Sequence, residues 1–227
     1  MLSIKKGSFL EIEYIGRVKE TNKIFDLTDE DLAKKENIYN PKASYGPIIV
    51  CIGNHDIVTG LEDFLIGKKP GKYKVELKPE QTFGKKEPKL IKIISTSKFN
   101  KQEIKPFPGL QVNIDGLIGM VRVVSGGRTI VDFNHPLAGK NIIYEIKVNK
   151  IIEKDEEKLK GFTKLHLNTE ASLENNIAKI KKEIPKDIQK DFSKKLKELI
   201  PSIKKVEYGL DSKDNSKKTT KKLKSKK

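Results

Sequence analysis

The sequence predicts an α+β protein built from several small units, on three observations. Short strand-like apolar segments dominate residues 7–152, one clear amphipathic helix lies near the C-terminus, and residues 212–227 are mostly lysine, serine and threonine. A chain of 227 residues permits one large domain or two to three small ones.

Residues 7–19 and 23–26 read as β, with Phe9, Ile12 and Tyr14 among the apolar positions of the first strand. Asp29 to Glu36 is a short helix candidate with Thr28 as its N-cap. Asn40-Pro41 and Gly46-Pro47 punctuate a loop, and the apolar run Ile48 to Ile52 fits a buried strand. Gly60 to Ile66 is a second short helix carrying Leu61, Phe64 and Leu65 on one face. Lys72 to Leu77 alternates as a strand. Between them, Gly67-Lys68-Lys69-Pro70-Gly71 is a turn and not a phosphate loop. Three residues separate its glycines instead of four, and Tyr73 stands where Ser or Thr is needed.

Between Gly84 and Val131 the pattern breaks into many short apolar segments, among them Ile91–Ile94, Leu110–Ile114 and Met120–Val124. Ser125-Gly126-Gly127 marks a hairpin turn before Thr129–Asp132. This stretch reads as a small all-β insertion. Asn134-His135-Pro136 is a turn, because the residue before proline is pushed out of helical space, and Ile142–Val148 is a strand. After Glu153 the chain becomes helix- and lysine-rich. Phe162–Leu167 alternates as a strand, and Ile177–Ile184 fits strand or helix. Ile188, Phe192, Leu196 and Leu199 stripe one face of a helix over Lys186–Leu199, bounded by Pro185 and Pro201. Ile203–Leu210 closes the series as a strand.

The net charge of +16 is unevenly spread: residues 212–227 hold eight lysines against Asp214, a net +7, leaving +9 for the body. With Leu223 its one large apolar residue, this tail cannot offset the entropy of ordering and is expected to be disordered. It serves either solubility or weak, sequence-blind contact with a polyanion such as nucleic acid or a ribosome. No apolar run approaches the ~20 residues that span a bilayer. Met1 to Gly7 lacks the apolar region of a signal peptide. Cys51 has no partner for a disulfide and sits in an apolar run, as a small buried hydrophobe would. These features predict a cytoplasmic protein with no membrane partner. His55, His135 and His166 are scattered, so no metal site is expected. His135 reads as a turn residue making a structural hydrogen bond, and Glu62-Asp63 as a solvated face near a helix start.

Four pieces carry a resemblance: Tyr14-Ile15-Gly16-Arg17, Phe25-Asp26, Ile57-Val58-Thr59-Gly60-Leu61-Glu62, and Asp132-Phe133-Asn134-His135-Pro136-Leu137-Ala138-Gly139. In this order they resemble the FKBP-type peptidyl-prolyl isomerases. The unbroken last run resembles the subset with a chaperone insert in the flap, such as SlyD and the archaeal FKBPs. The resemblance covers residues 1 to about 152; residues 153–210 resemble, more weakly, the C-terminal domain of long archaeal members. It implies an antiparallel sheet wrapping a short helix at 1–86 and 132–152, and an inserted flap domain at 87–131. A small α/β domain at 153–210 and a lysine-rich tail at 211–227 would follow. The apolar helix face of the C-terminal domain would belong to its core or to a homodimer interface.

The reaction so implied breaks no covalent bond. Its obstacle is the ~18–20 kcal/mol cost of rotating an amide out of plane. A dry apolar pocket with a few oriented polar groups lowers that cost without nucleophile, metal or cofactor. By resemblance, Tyr14, Phe25, Asp26, Ile48, Ile57, Val58, Leu61, Phe83 and Tyr144 line the pocket. Leu61 would form its floor, and a backbone amide at Ile57 or Val58 would bind a substrate carbonyl. Asp26 needs a partner, and the Tyr14 hydroxyl is the obvious donor. Three positions depart from the familiar pattern: Leu61 replaces tryptophan, Phe83 replaces tyrosine and Tyr144 replaces phenylalanine. Unfolded, proline-containing chains are the implied partners. Two readings follow, an isomerase with a chaperone flap or mainly a holdase with weak isomerase activity.

Overall fold

The alternating segments within residues 9–77 and 142–152 assemble into one antiparallel sheet in a computed structural model that describes residues 2–209. Its strands are β1 (Phe9–Val18), β2 (Ile24–Leu27), β3 (Ile48–Cys51), β4 (Gly71–Leu77) and β9 (Ile142–Ile152). The order is β2-β1-β9-β4, with β3 paired to the first half of β1. A bulge opposite Glu11 and Ile12, with Asn149 as the extra residue, bends β9 where it pairs with β1. Leu10, Ile12, Val18, Leu77, Ile142, Tyr144, Ile146 and Val148 are buried in the main core, where Leu61 and Leu65 of helix α2 (Thr59–Leu65) join them. Each such aliphatic side chain contributes roughly 1.5–3 kcal/mol when fully buried.

Helix α1 (Glu30–Lys35) is capped by Asp29, whose carboxylate accepts from Leu32 N at 2.9 Å. Thr28 is not the cap, because its hydroxyl belongs to the sheet: Oγ1 accepts from Tyr14 N at 2.9 Å.

The inserted unit has its own four-stranded sheet, ordered β5-β8-β7-β6. It consists of β5 (Ile91–Ser95), β6 (Gln111–Ile114), β7 (Leu117–Ser125) and β8 (Arg128–Asp132). It is not all-β, since α3 (Thr96–Asn100) adds one helical turn that buries Phe99. Only Phe99, Val112, Val121 and Val131 form its buried core. Ile93, Phe107, Leu117 and Ile118 stand exposed at 57–66%.

The C-terminal unit comprises α4 (Asp155–Leu167), β10 (Ala171–Glu174), β11 (Ile177–Ile180), α5 (Lys186–Leu199) and β12 (Lys205–Tyr208). β10 and β11 form a hairpin, and α5 carries the chain over to a parallel β12. The strand expected at Phe162–Leu167 is the second half of α4. Three acids in its first turn favour helix, and Leu159, Phe162 and Thr163 repeat at helical spacing on the buried side. Along α5, Leu196 is buried and Phe192 and Leu199 pack against the same core, while Ile188 is exposed. Leucine 210 and the lysine tail lie outside the described residues. Among the described residues, no helix is long and apolar enough to cross a membrane.

The third unit is docked and not strung on a linker. Phe9, Cys51 and Ile152 of the first sheet are buried in one cluster with Leu159, Phe162, Ala178, Ile180 and Leu196. Gly161 lets α4 press on β3, since a Cβ there would lie 2.4 Å from Cβ of Ile49. Mid-helix glycine otherwise costs ~1 kcal/mol. Gly161→Val is therefore expected to overpack this interface and cost about 1–3 kcal/mol. The check is a lower urea midpoint with unchanged slope; an unchanged midpoint would show that α4 is not pressed on β3.

Candidate active site

The open end of the first sheet surrounds a cavity of about 530 Å³. Tyr14 comes from β1, Phe25 and Asp26 from β2, and Tyr144 from β9. Ile57 and Val58 come from the loop entering α2, Leu61 from α2 itself, and Phe83 from the segment after a 3-10 turn at Pro79–Gln81. Gly16 makes the wall possible: a Cβ there would sit 2.6 Å from Cζ of Phe25. The bare strand lets the Phe25 ring lie across it, edge-on to Tyr144 and to Phe83, each at 5.9 Å between centroids.

The polar groups are few and oriented. Tyr14 Oη donates to Asp26 Oδ2 at 2.8 Å. Burial, followed by the nearby Asp26 carboxylate, raises the pKa of the Tyr14 phenol far above its ordinary value, so it remains a donor at any physiological pH. Tyr144 is raised too, first by burial and then by Asp26. Among the described backbone hydrogen bonds, none uses the N–H of Ile57 or Val58. Both donors remain available at the cavity.

Eight of the nine residues implied by sequence meet here; Ile48 does not. It is paired opposite Ile12 on β3 and packs, partly buried, against the main core away from the cavity lining. Sequence reasoning missed His55, Asp56, Thr82, His135 and Leu137, which also line the cavity. His135 makes the expected turn bond, Nδ1 accepting from Leu137 N at 3.2 Å. Its ring also stacks on Phe83 at 4.7 Å, nearly parallel. The run Asn134-His135-Pro136 could have shown this, since the turn places the ring just where the chain leaves the insert.

Glu62 is not a solvated face residue. It is 3% exposed, and its Oε1 accepts from His55 N at 3.0 Å. Burial raises its pKa, against the pull of the Gly53 and His55 amides. A second depression, of about 500 Å³, borders Tyr14, Glu13, Lys72, Lys74, Glu145 and Lys147. Its charged ladder, with Lys74–Glu145 at 2.8 Å, is a poor seat for a proline ring. Among the described residues, no three His, Cys, Asp or Glu side chains group to hold a metal.

The comparison with known proteins agrees with the geometry. The short-type peptidyl-prolyl cis-trans isomerase of Methanocaldococcus jannaschii is 33% identical over 149 residues, covering 65% of this chain and 94% of that protein. The chain belongs to the FKBP-type peptidyl-prolyl cis-trans isomerases. The FKBP-type 16 kDa isomerase of Escherichia coli is 35% identical over 111 residues, covering 46% of this chain and 74% of its own. SlyD of Helicobacter pylori is 25% identical over 163 residues, covering 69% of this isomerase and 78% of its own length. The family model described as FKBP26, IF domain, matches residues 92–137, which contain nearly all of the inserted sheet. This isomerase is therefore of the insert-in-flap kind.

Proposed function

We propose that this isomerase acts on X-Pro bonds of unfolded chains, with the cavity as proline site and the insert as the surface that captures them. The observation that carries this reading is the path of the chain out of the insert. β8 ends at Asp132, and within five residues His135 and Leu137 form part of the cavity wall. A segment resting on exposed Phe107, Leu117 or Ile118 is thereby held on a unit joined by a few residues to the wall of the site that rotates its prolines. Tethering raises the effective concentration of X-Pro bonds at the cavity without a new contact there.

In the cavity, the aromatic walls and Leu61 take the pyrrolidine ring and exclude water. Desolvation weakens the charge-separated resonance form of the amide and so lowers the rotation barrier. A backbone N–H at Ile57 or Val58 holds the substrate carbonyl. The Tyr14–Asp26 pair presents a fixed polar edge to the turning amide. The smaller floor at Leu61 and the absence of a hydroxyl at Phe83 favour a roomy site of modest intrinsic turnover, which is where a capturing insert matters most.

The test is cis-trans exchange of a short X-Pro peptide. Asp26→Ala removes a charged hydrogen-bond partner and is expected to lower kcat/KM about tenfold, with the thermal midpoint little changed because Asp26 is exposed. Undiminished exchange would remove the cavity from the mechanism and leave a holdase.

A further inference from the structure

The loop that presents Ile57 and Val58 is tied by two buried carboxylates, Glu62 on the His55 amide and Asp56, and Asp56 reaches another unit. Asp56 has a side chain 1% exposed. Its Oδ2 accepts from Cys51 N at 2.7 Å, and its Oδ1 accepts from Asn54 Nδ2 at 2.6 Å. The remaining partner comes from another unit: Nε2 of His166, near the end of α4, lies 3.1 Å from Asp56 Oδ1. These bonds together hold the carboxyl below its ordinary pKa despite burial, which alone would raise it.

His166 is itself fixed. Its ring lies 4.3 Å from that of Phe162 and 6.5 Å from that of Phe192. α4 in turn is anchored by Leu159 and Phe162 in the shared core and by the close approach of Gly161 to Ile49. A continuous packed path therefore runs from the C-terminal unit to the residue immediately before the two free amides.

We propose that His166 is a positioning residue for isomerisation: the C-terminal unit, through His166 and Asp56, sets where the Ile57 and Val58 amides meet the substrate carbonyl. The inference rests on the cavity being the proline site. Small displacements of a positioned group cost large factors in rate. A brace removed without touching the cavity should thus lower activity while leaving the fold intact. His166 is about a third exposed, so its loss should be tolerated by the core.

The experiment uses the full chain and a short X-Pro peptide, measuring kcat and KM separately alongside amide exchange at Ile57 and Val58. His166→Ala is expected to lower kcat/KM about fivefold and to speed exchange of those two amides. His166→Gln, which keeps an N–H donor at similar reach, is expected to restore kcat/KM to within twofold. In an Asp56→Asn background, His166→Ala should add little, since both changes break one link. If His166→Ala leaves kcat/KM and exchange unchanged while Asp26→Ala is impaired, the brace is overturned and the cavity reading stands. If neither variant is impaired, the cavity reading falls and takes the brace with it. A loss in His166→Ala that glutamine does not rescue, accompanied by a fall in thermal midpoint, also overturns it in favour of a purely structural role.

Discussion

Replacing Phe107, Leu117 and Ile118 together by serine is expected to leave turnover of a short X-Pro peptide within about twofold, while slowing catalysis of proline-limited refolding roughly 10- to 100-fold. The three side chains are 57–61% exposed, so their loss removes little core. The insert's own core of Phe99, Val112, Val121 and Val131 is untouched. A surface so apolar on so small a sheet is costly to solvate and is an interaction site by default. The readout is the slow refolding phase of an unfolded client, which without catalysis takes ~10–100 s. Parallel losses on peptide and protein would mean that the substitutions damaged the cavity and did not act through capture.

The second large effect belongs to Asp132, the first residue of the run that resembled the family most closely. Its side chain is 1% exposed and nearly saturated with partners. Oδ2 faces Lys86 Nζ at 3.0 Å and Arg122 Nε at 3.2 Å, and Oδ1 accepts from Asn134 N at 3.0 Å and Nδ2 at 2.8 Å. Asn134 then grips the opposite connection, its Oδ1 accepting from Glu87 N at 2.8 Å. Asp132 thus clamps the two chain crossings between the isomerase unit and the insert.

Asp132→Ala is expected to destabilise the protein by about 2–4 kcal/mol, near the lower range for a broken buried pair because Lys86 and Arg122 are half-exposed and can rehydrate. Burial opposes ionisation, but bonds from Asn134 and Lys86 outweigh it and hold the carboxyl well below the ordinary range. A depressed folded-state pKa means that the clamp stabilises fully above the unfolded value of ~3.9 and loses its effect progressively as pH falls below it. Denaturant unfolding of wild type and variant should differ most at neutral pH, and the gap should start to narrow only once the pH falls below about 4. A gap independent of pH would show that the carboxylate's charge does not hold the hinge.

How much of this could be read from sequence depends on the range of the interactions. Local alternation placed β4 and the hairpin at Ser125–Gly127, and helical spacing placed α5 to the residue, because periodicity and flanking prolines act within a few positions. Asp29 displaced Thr28 as cap because the threonine hydroxyl was taken by Tyr14, a residue fourteen positions away. Phe162–Leu167 looked like a strand only when cut from the thirteen-residue helix that contains it. The cavity walls were legible because Tyr14, Phe25-Asp26 and Ile57–Leu61 fall in ordered motifs. His135 was legible only as a turn residue, since its stacking on Phe83, 52 positions away, is non-local. The Asp132 clamp and the Asp56–His166 link are equally non-local: a lone histidine or aspartate in sequence gives no sign of a partner in another unit.

Coupling between capture and catalysis is tested most directly by complementation. One variant lacks the insert's apolar residues (Phe107, Leu117 and Ile118 to serine), and the other lacks the cavity carboxylate (Asp26→Ala). Each retains what the other has lost. If one chain must hold a client while its own cavity turns the proline, an equimolar mixture should refold a proline-limited client no faster than the better single variant. Recovery of the wild-type rate by the mixture would contradict that coupling, and capture and isomerisation would then be separate activities that share a polypeptide.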